Sequence, residues 1–168
     1  MALGGWAWAV AAGAAVSHFV QANAFETGRK SYRRWVYGAT WIRQNLESAR
    51  EPRPFQRVLG GAYLLTSSLS DPGAARVEAA MDAQIALGGA RAEAARGLYR
   101  DLYAPLIRKS AVLSGNSRTL IAFVSLLAAS PLWFFIFEMT ALNAALAALI
   151  IWRGRRNARL IEGLKALV

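Results

Sequence analysis

The sequence predicts an all-α fold, namely a polytopic membrane helical bundle with about three transmembrane helices and additional cytoplasmic amphipathic helices. Residues 1–25 contain no charged side chain, and residues 119–152 contain only Glu138. Basic residues follow both stretches. Such stretches are too long for the core helices of a small soluble domain and match the roughly 20 residues that cross a bilayer. We therefore expect a single membrane domain over residues 1–168.

The first span is predicted over residues 2–25, with Trp6 and Trp8 as interfacial anchors at its outer end. The small residues around Asn23 resemble a signal-peptide cleavage site. However, the positive charges follow the apolar stretch instead of preceding it, which favours a retained helix over a cleaved signal peptide.

The distal apolar region predicts a helical hairpin. As one straight helix, residues 119–152 would extend for about 51 Å, whereas the hydrocarbon core is roughly 30 Å thick. Ser130-Pro131 is a turn sequence, and proline suits the first position of a new helix. We therefore predict spans over residues 110–129 and 132–152, with Arg118 extending its side chain toward the interface.

The distribution of charge predicts the orientation. Residues 26–118 hold 15 Lys and Arg against 8 Asp and Glu, and the basic tail, residues 153–168, holds 5 against 1. The positive-inside rule then places the N-terminus outside, and the basic loop and the C-terminus in the cytoplasm. A two-span alternative, in which residues 119–130 do not cross, leaves one basic region outside. Nucleic-acid binding is not expected, because the basic residues adjoin the apolar stretches.

The cytoplasmic segment, residues 26–109, is predicted to be mostly helical. Residues 26–50 continue the first helix until Pro52 breaks it, and residues 55–69 form a helix on the membrane surface. A long amphipathic helix then starts with Asp71 as its N-cap and is interrupted near Pro105. Its apolar face recurs every three or four residues at Val77, Met81, Ile85, Gly88, Ala92, Ala95, Tyr99, Leu102 and Leu106.

Polar residues within the first span are candidates for a binding site. His18, Gln21 and Arg29 share one helix face with Phe25. Polar groups at this depth should face a bundle interior or a water-filled cavity. Two interpretations stand equally: a polar wall that binds a phosphate-bearing headgroup, or hydrogen bonding between helices.

Glu138 and Asn143 are intramembrane polar residues in the third span. A carboxylate at that depth either has a function or pairs with an arginine or histidine of another helix. We find no such partner at matching depth in the predicted spans, which indicates that further helices are missing from this chain.

Motifs for catalysis are absent from the sequence. There is no P-loop, no G-x-S-x-G, no His/Asp/Glu set with metal-ligand spacing, and no cysteine. We assign no catalytic residue, no metal ligand and no cofactor to this chain.

Several segments together resemble the C-terminal half of the CDP-alcohol phosphatidyltransferase family. They are residues 20–26 (VQANAFE), Arg29, Tyr32, Trp35, Tyr37, Gly38, and residues 104–108 (APLIR), 113–119 (LSGNSRT) and 130–134 (SPLWF). The resemblance implies a six-helix enzyme of the bacterial inner membrane, usually a homodimer. Such an enzyme uses Mg²⁺ or Mn²⁺ to transfer a substituted phosphate from a CDP-alcohol to an acceptor alcohol in phospholipid biosynthesis. It also implies a cytoplasm-facing headgroup cavity lined by His18, Gln21, Asn23 and Arg29.

The chain departs from that family at its catalytic motif, D-x-x-D-G-x-x-A-R followed by G-x-x-x-D-x-x-x-D. Residues 68–76 (SLSDPGAAR) only echo it, because Pro72 interrupts the pattern and Ser68 stands where an acid is needed. We therefore expect the C-terminal portion of such an enzyme, separated from an N-terminal half and inactive alone. The alternative is a small non-enzymatic membrane scaffold or subunit that binds anionic lipid. In either case the expected partners are membrane lipids.

Overall fold

The structure is a computed structural model that describes residues 4–39 and 54–167. These residues form helices and no strand, so the predicted all-α class is confirmed for them. The helices are α1 (Gly5–Tyr37), α2 (Pro54–Ser70), α3 (Ala74–Ala86), α4 (Gly89–Ser110), a 3₁₀ turn (Ala111–Leu113), α5 (Gly115–Leu127), α6 (Leu132–Met139) and α7 (Ala141–Lys165).

The first helix ends earlier than the sequence predicts. Gly38 adopts a left-handed conformation with φ 68° and donates a backbone hydrogen bond to the carbonyl of Arg34. Glycine at this position is a common helix terminator. The helix ends at Tyr37, so its expected continuation to residue 50 is wrong. The predicted break at Pro52 lies outside the described residues.

The hairpin between α5 and α6 lies where the sequence predicts a turn. Ala129 has a positive φ of 54°, and Pro131 immediately precedes α6. The Ser125 hydroxyl donates to the carbonyl of Ser130 (2.6 Å) and accepts from the amide of Phe134 (3.1 Å). One buried hydroxyl thus satisfies backbone groups on both sides of the turn.

The long amphipathic helix of the prediction is in fact two helices. Gly88 and Gly89 have φ values of 69° and 55°, which interrupt the helix between α3 and α4. By contrast, Pro105 lies within α4 without ending it. The apolar face is confirmed at the positions that are buried, namely Val77, Met81, Ala92, Ala95, Tyr99 and Leu106.

The predicted helix cap at Asp71 is wrong. Helix α3 begins at Ala74 after Gly73, whose φ is 97°. The Asp71 carboxylate instead accepts a hydrogen bond from Asn157 (2.8 Å) on α7. The turn between α2 and α3 is therefore attached to the last helix.

Helix α1 runs parallel to α6 and α7. A Cβ atom at Gly13 would lie 3.1 Å from the Met139 side chain, and one at Gly28 would lie 2.5 Å from the Arg153 side chain. Among the described residues, two clusters of buried apolar side chains lie between the helices. The larger of them is built around Trp35, Met81, Tyr99, Leu106 and Leu160.

Two helical stretches are long and apolar enough, by length and composition, to cross a membrane. They are Gly89–Leu127 and Leu132–Lys165, which join α4 to α5 and α6 to α7. Several side chains on the hairpin are exposed although apolar, including Leu127, Trp133 and Ile151. Helix α1 is not among the candidate spans. Alanine, glycine and several polar residues lower the mean hydropathy of its sequence.

Candidate functional site

A buried ion pair lies at the centre of the bundle. Arg118 Nε lies 3.1 Å and 3.3 Å from the two carboxylate oxygens of Glu138, and the residues are 5% and 1% exposed. Arg118 also donates to the side chain of Gln21 (2.7 Å) and to the carbonyl of Leu113 (2.6 Å). Glu138 therefore has a partner within this chain. The expectation that none exists is wrong, because Arg118 turns inward instead of extending to the interface.

The same network includes the other predicted intramembrane residues. Gln21 donates to the backbone carbonyl of Glu138 (3.0 Å) and to the side chain of Asn143 (2.7 Å). Asn143 in turn donates to the hydroxyl of Ser17 (3.1 Å). His18 Nδ1 lies 3.4 Å from Glu138 Oε1, and its side chain is 52% exposed. The network joins α1, α5, α6 and α7 with most of its polar groups satisfied, which favours a structural role.

A second group of polar side chains lies between α1 and α2. Asn23 Nδ2 donates to the carbonyl of Tyr63 (3.0 Å) and to the hydroxyls of Thr66 and Ser67. The hydroxyl of Thr27, one helical turn further along α1, lies 3.2 Å from that of Ser67. The i, i+4 spacing on each helix places these groups on facing sides.

This group opens into a cavity of about 550 Å³, which we name the polar cleft. Helices α1 and α2 supply hydroxyl groups to it, and the turn and α3 supply charged side chains. The polar residues that line it are Thr27, Ser31, Tyr63, Ser67, Ser68, Asp71, Arg76 and Glu78. Lys30 Nζ lies 5.8 Å from the centre of the Tyr63 ring, within the range of a cation–π contact.

A buried clamp from α7 holds one wall of the polar cleft. Arg153 donates to the carbonyl of Ser70 (3.2 Å) and lies 3.9 Å from the Asp71 carboxylate. Asn157 donates to that carboxylate and accepts from the hydroxyl of Tyr103. The absence of a side chain at Gly28 leaves room for the guanidinium. Asp71 is therefore positioned before any ligand binds.

Outside the two candidate membrane-spanning stretches, Tyr32 on α1 has a shifted pKa. Burial raises the pKa of Tyr32 above its usual value, with a smaller contribution from Tyr37. The Tyr32 ring lies 6.4 Å from that of Tyr99 in the apolar cluster. The phenol is therefore neutral and contributes packing to this end of the bundle.

The four predicted headgroup-binding residues separate into different places. His18 and Gln21 face the Glu138 network, and Asn23 lies behind the polar cleft. Arg29 is exposed and pairs with Glu26 at 3.2 Å. The hydroxyl groups of α2 were not predicted as part of a site, although their spacing at Tyr63 and residues 66–70 is typical of one polar helix face.

The side chains of the polar cleft are suited to hydrogen bonding with a polar ligand and not to coordinating a metal ion. Within residues 4–39 and 54–167, no three His, Asp or Glu side chains come together in a way that could hold a metal ion. The Mg²⁺ or Mn²⁺ implied by the family resemblance therefore has no fitting set of ligands in this part of the chain. Hydroxyl, guanidinium and carboxylate groups remain, which can orient a polar ligand by hydrogen bonds.

Comparisons with known proteins give no match for this chain. No family model, no curated protein and no solved structure is significantly similar to it.

Proposed function

We propose that this chain binds the phosphate-bearing headgroup of a lipid or lipid precursor in the polar cleft, at the surface of a membrane that its helices cross. The observation that carries the proposal is the composition of the cleft. Hydroxyl donors from Thr27 and Ser67 and the guanidinium of Arg76 line a space of about 550 Å³. The carboxylates of Asp71 and Glu78 line it as well, and that of Asp71 is already engaged by Asn157 and Arg153. A guanidinium makes charge-assisted hydrogen bonds to phosphate oxygens, and hydroxyl groups add neutral ones. The volume falls in the usual range of small-molecule sites.

A third span, formed by α1, is part of the proposal. Gly13 lies beside Met139 and Gly28 lies beside Arg153, so α1 follows α6 and α7 in the same direction over nearly the same number of residues. At 1.5 Å per residue this shared path is about 20 Å long. A membrane crossed by α7 would therefore also be crossed by α1. The positive-inside rule supports an outside N-terminus and a cytoplasmic C-terminus.

The position of the polar cleft supports a relationship to the CDP-alcohol phosphatidyltransferases in which this chain binds the CDP-alcohol but does not transfer its phosphate. The segment that departs from the catalytic motif, residues 68–76, supplies Ser68, Asp71 and Arg76 to the cleft. Metal ligands are replaced there by a hydroxyl and by an aspartate already engaged by Asn157. We therefore expect a CDP-alcohol to bind without being consumed.

Binding of a CDP-alcohol lipid tests this proposal. The chain is placed in phosphatidylcholine nanodiscs, and saturable binding of CDP-diacylglycerol is measured. Arg76→Gln should weaken binding at least about ten-fold, because a charged hydrogen bond to phosphate contributes roughly 1.5–3 kcal/mol. Arg91→Gln removes an exposed cation from α4, outside the cleft, and should change binding less than two-fold.

Two results would contradict the proposal. Absence of saturable binding would exclude the polar cleft as a headgroup site. Release of CMP by the purified chain with Mg²⁺ or Mn²⁺ and an acceptor alcohol would show that transfer occurs after all.

A further inference from the structure

A second cationic site lies away from the polar cleft, around Trp152 on α7. Lys109 Nζ, from the end of α4, lies 5.1 Å from the centre of the Trp152 ring. The Arg156 guanidinium carbon, one turn further along α7, lies 5.3 Å from the same centre. Two helices thus place two cations against one aromatic ring, and neither cation lines the polar cleft.

The Arg156 side chain has a hydrogen-bond donor that is not used within the described residues. Its Nε atom is buried and, among the residues that the structure describes, has no hydrogen-bond partner. Within the same residues, no carboxylate lies within 4 Å of Lys109 or Arg156 to form a salt bridge. A buried donor without a partner is costly, and protein atoms cover Nε itself. The half-buried Arg156 side chain would therefore gain from a shift that brings its guanidinium to an acceptor at the surface.

Trp152 marks the boundary of the apolar part of the hairpin. The preceding residue, Ile151, is 58% exposed, and Arg153 begins the basic end of α7. From Leu132 to Trp152 the path along α6 and α7 is about 30 Å at 1.5 Å per residue, which equals the thickness of the hydrocarbon core. Tryptophan is enriched at such boundaries, where lipid phosphates also lie.

We propose that Lys109, Trp152 and Arg156 form a binding site for the phosphate of an anionic phospholipid. Lys109 and Arg156 bind the phosphate, the Trp152 ring holds both cations in place, and an acyl chain lies along the exposed apolar surface at Ile151. The site selects a net-negative headgroup because the neighbouring Arg108 and Arg155 are also exposed cations. The positive group of a zwitterionic headgroup would be repelled by these neighbouring cations.

Lipid selection by the purified chain tests the site. Native mass spectrometry measures how many phosphatidylglycerol and phosphatidylcholine molecules remain bound after equilibration with a one-to-one mixture. Each cation near the surface contributes about five-fold to the binding of anionic lipid, so Lys109→Gln with Arg156→Gln should reduce the preference for phosphatidylglycerol by roughly 25-fold. The matched control, Arg91→Gln with Arg159→Gln, removes the same charge from exposed positions on the same helices and should reduce it less than two-fold.

A second variant tests the geometry apart from the charge. Trp152→Leu keeps both cations but removes the ring, and should reduce the preference at least three-fold. It also decides the question if the double variant does not fold. The site would be overturned if the double variant and its matched control lost the preference for phosphatidylglycerol equally, or if Trp152→Leu left that preference unchanged. Either result would show that the anionic lipid is attracted by the overall positive charge and not by this site. Equal retention of soluble glycerol phosphate would overturn it too, because the site would then bind free phosphate and not a lipid.

Discussion

Replacing Glu138 by glutamine should destabilise the bundle by about 3 kcal/mol, at the lower end of the roughly 3–5 kcal/mol found when one partner of a buried ion pair is removed. The substitution keeps the size of the side chain but leaves the buried Arg118 without a counter-charge. Arg118 retains its bonds to Gln21 and to the carbonyl of Leu113, at 2.7 Å and 2.6 Å. These two acceptors are the reason for choosing the lower end of the range.

Equilibrium unfolding in mixed micelles, followed by tryptophan fluorescence, measures this free energy. The control is Glu26→Gln, which removes an ion pair of similar length, 3.2 Å, whose side chains are 51% and 37% exposed. Exposed pairs contribute about 0–1 kcal/mol, so the control should lie within 1 kcal/mol of the unsubstituted protein.

A double substitution separates the ion pair from simple packing. Arg118→Met with Glu138→Met removes both charges, and should be less destabilising than Glu138→Met alone because no buried charge is left unpaired. Two outcomes would refute the reasoning: a Glu138→Gln variant as stable as the Glu26→Gln control, or a double variant whose loss equals the sum of its two single losses.

Three further experiments test other features of the fold and its orientation. Gly28→Ala places a Cβ 2.5 Å from the Arg153 guanidinium and should cost about 1–3 kcal/mol in the same unfolding assay, whereas Gly97→Ala, with open space around it, should be neutral or slightly stabilising. Gly88→Ala forces a side chain onto φ 69° and ψ −172°, a conformation that essentially only glycine adopts, and should cost about 1–3 kcal/mol. A cost near zero would contradict the helix break described there. Because the chain has no cysteine, Ser130→Cys and Gly97→Cys can be labelled separately in intact cells with an impermeant maleimide. Only Ser130→Cys should react, and reaction of both would contradict the proposed orientation.

Features set by local sequence were predictable. The Ser130-Pro131 turn follows from the two residues themselves, since proline fixes its own φ and limits the residue before it. The buried face of α3 and α4 follows from the spacing of residues such as Met81 and Tyr99. The break at Gly88 was missed because periodicity continues across it, while two glycines allow the chain to leave the helix.

Features set by contacts between distant residues were not predictable. Arg118 was expected to extend toward the interface because it flanks an apolar stretch, and nothing nearby in the sequence shows that Glu138 draws it inward. Asp71 has the sequence context of a helix cap, yet Asn157 engages its carboxylate from 86 residues away. The two cations around Trp152 were likewise invisible, because they belong to different helices.

The central network also has a consequence for the order of synthesis. Gln21 is fully buried, and its side-chain oxygen accepts a hydrogen bond from Arg118, which lies 97 residues later in the chain. At about 5–20 residues per second, Arg118 is synthesised roughly 5–20 s after Gln21. During that interval the first helix has none of its network partners from α5 to α7. A factor that shelters its polar side until the hairpin arrives would therefore raise the yield of folded protein, and a first helix expressed alone should be degraded.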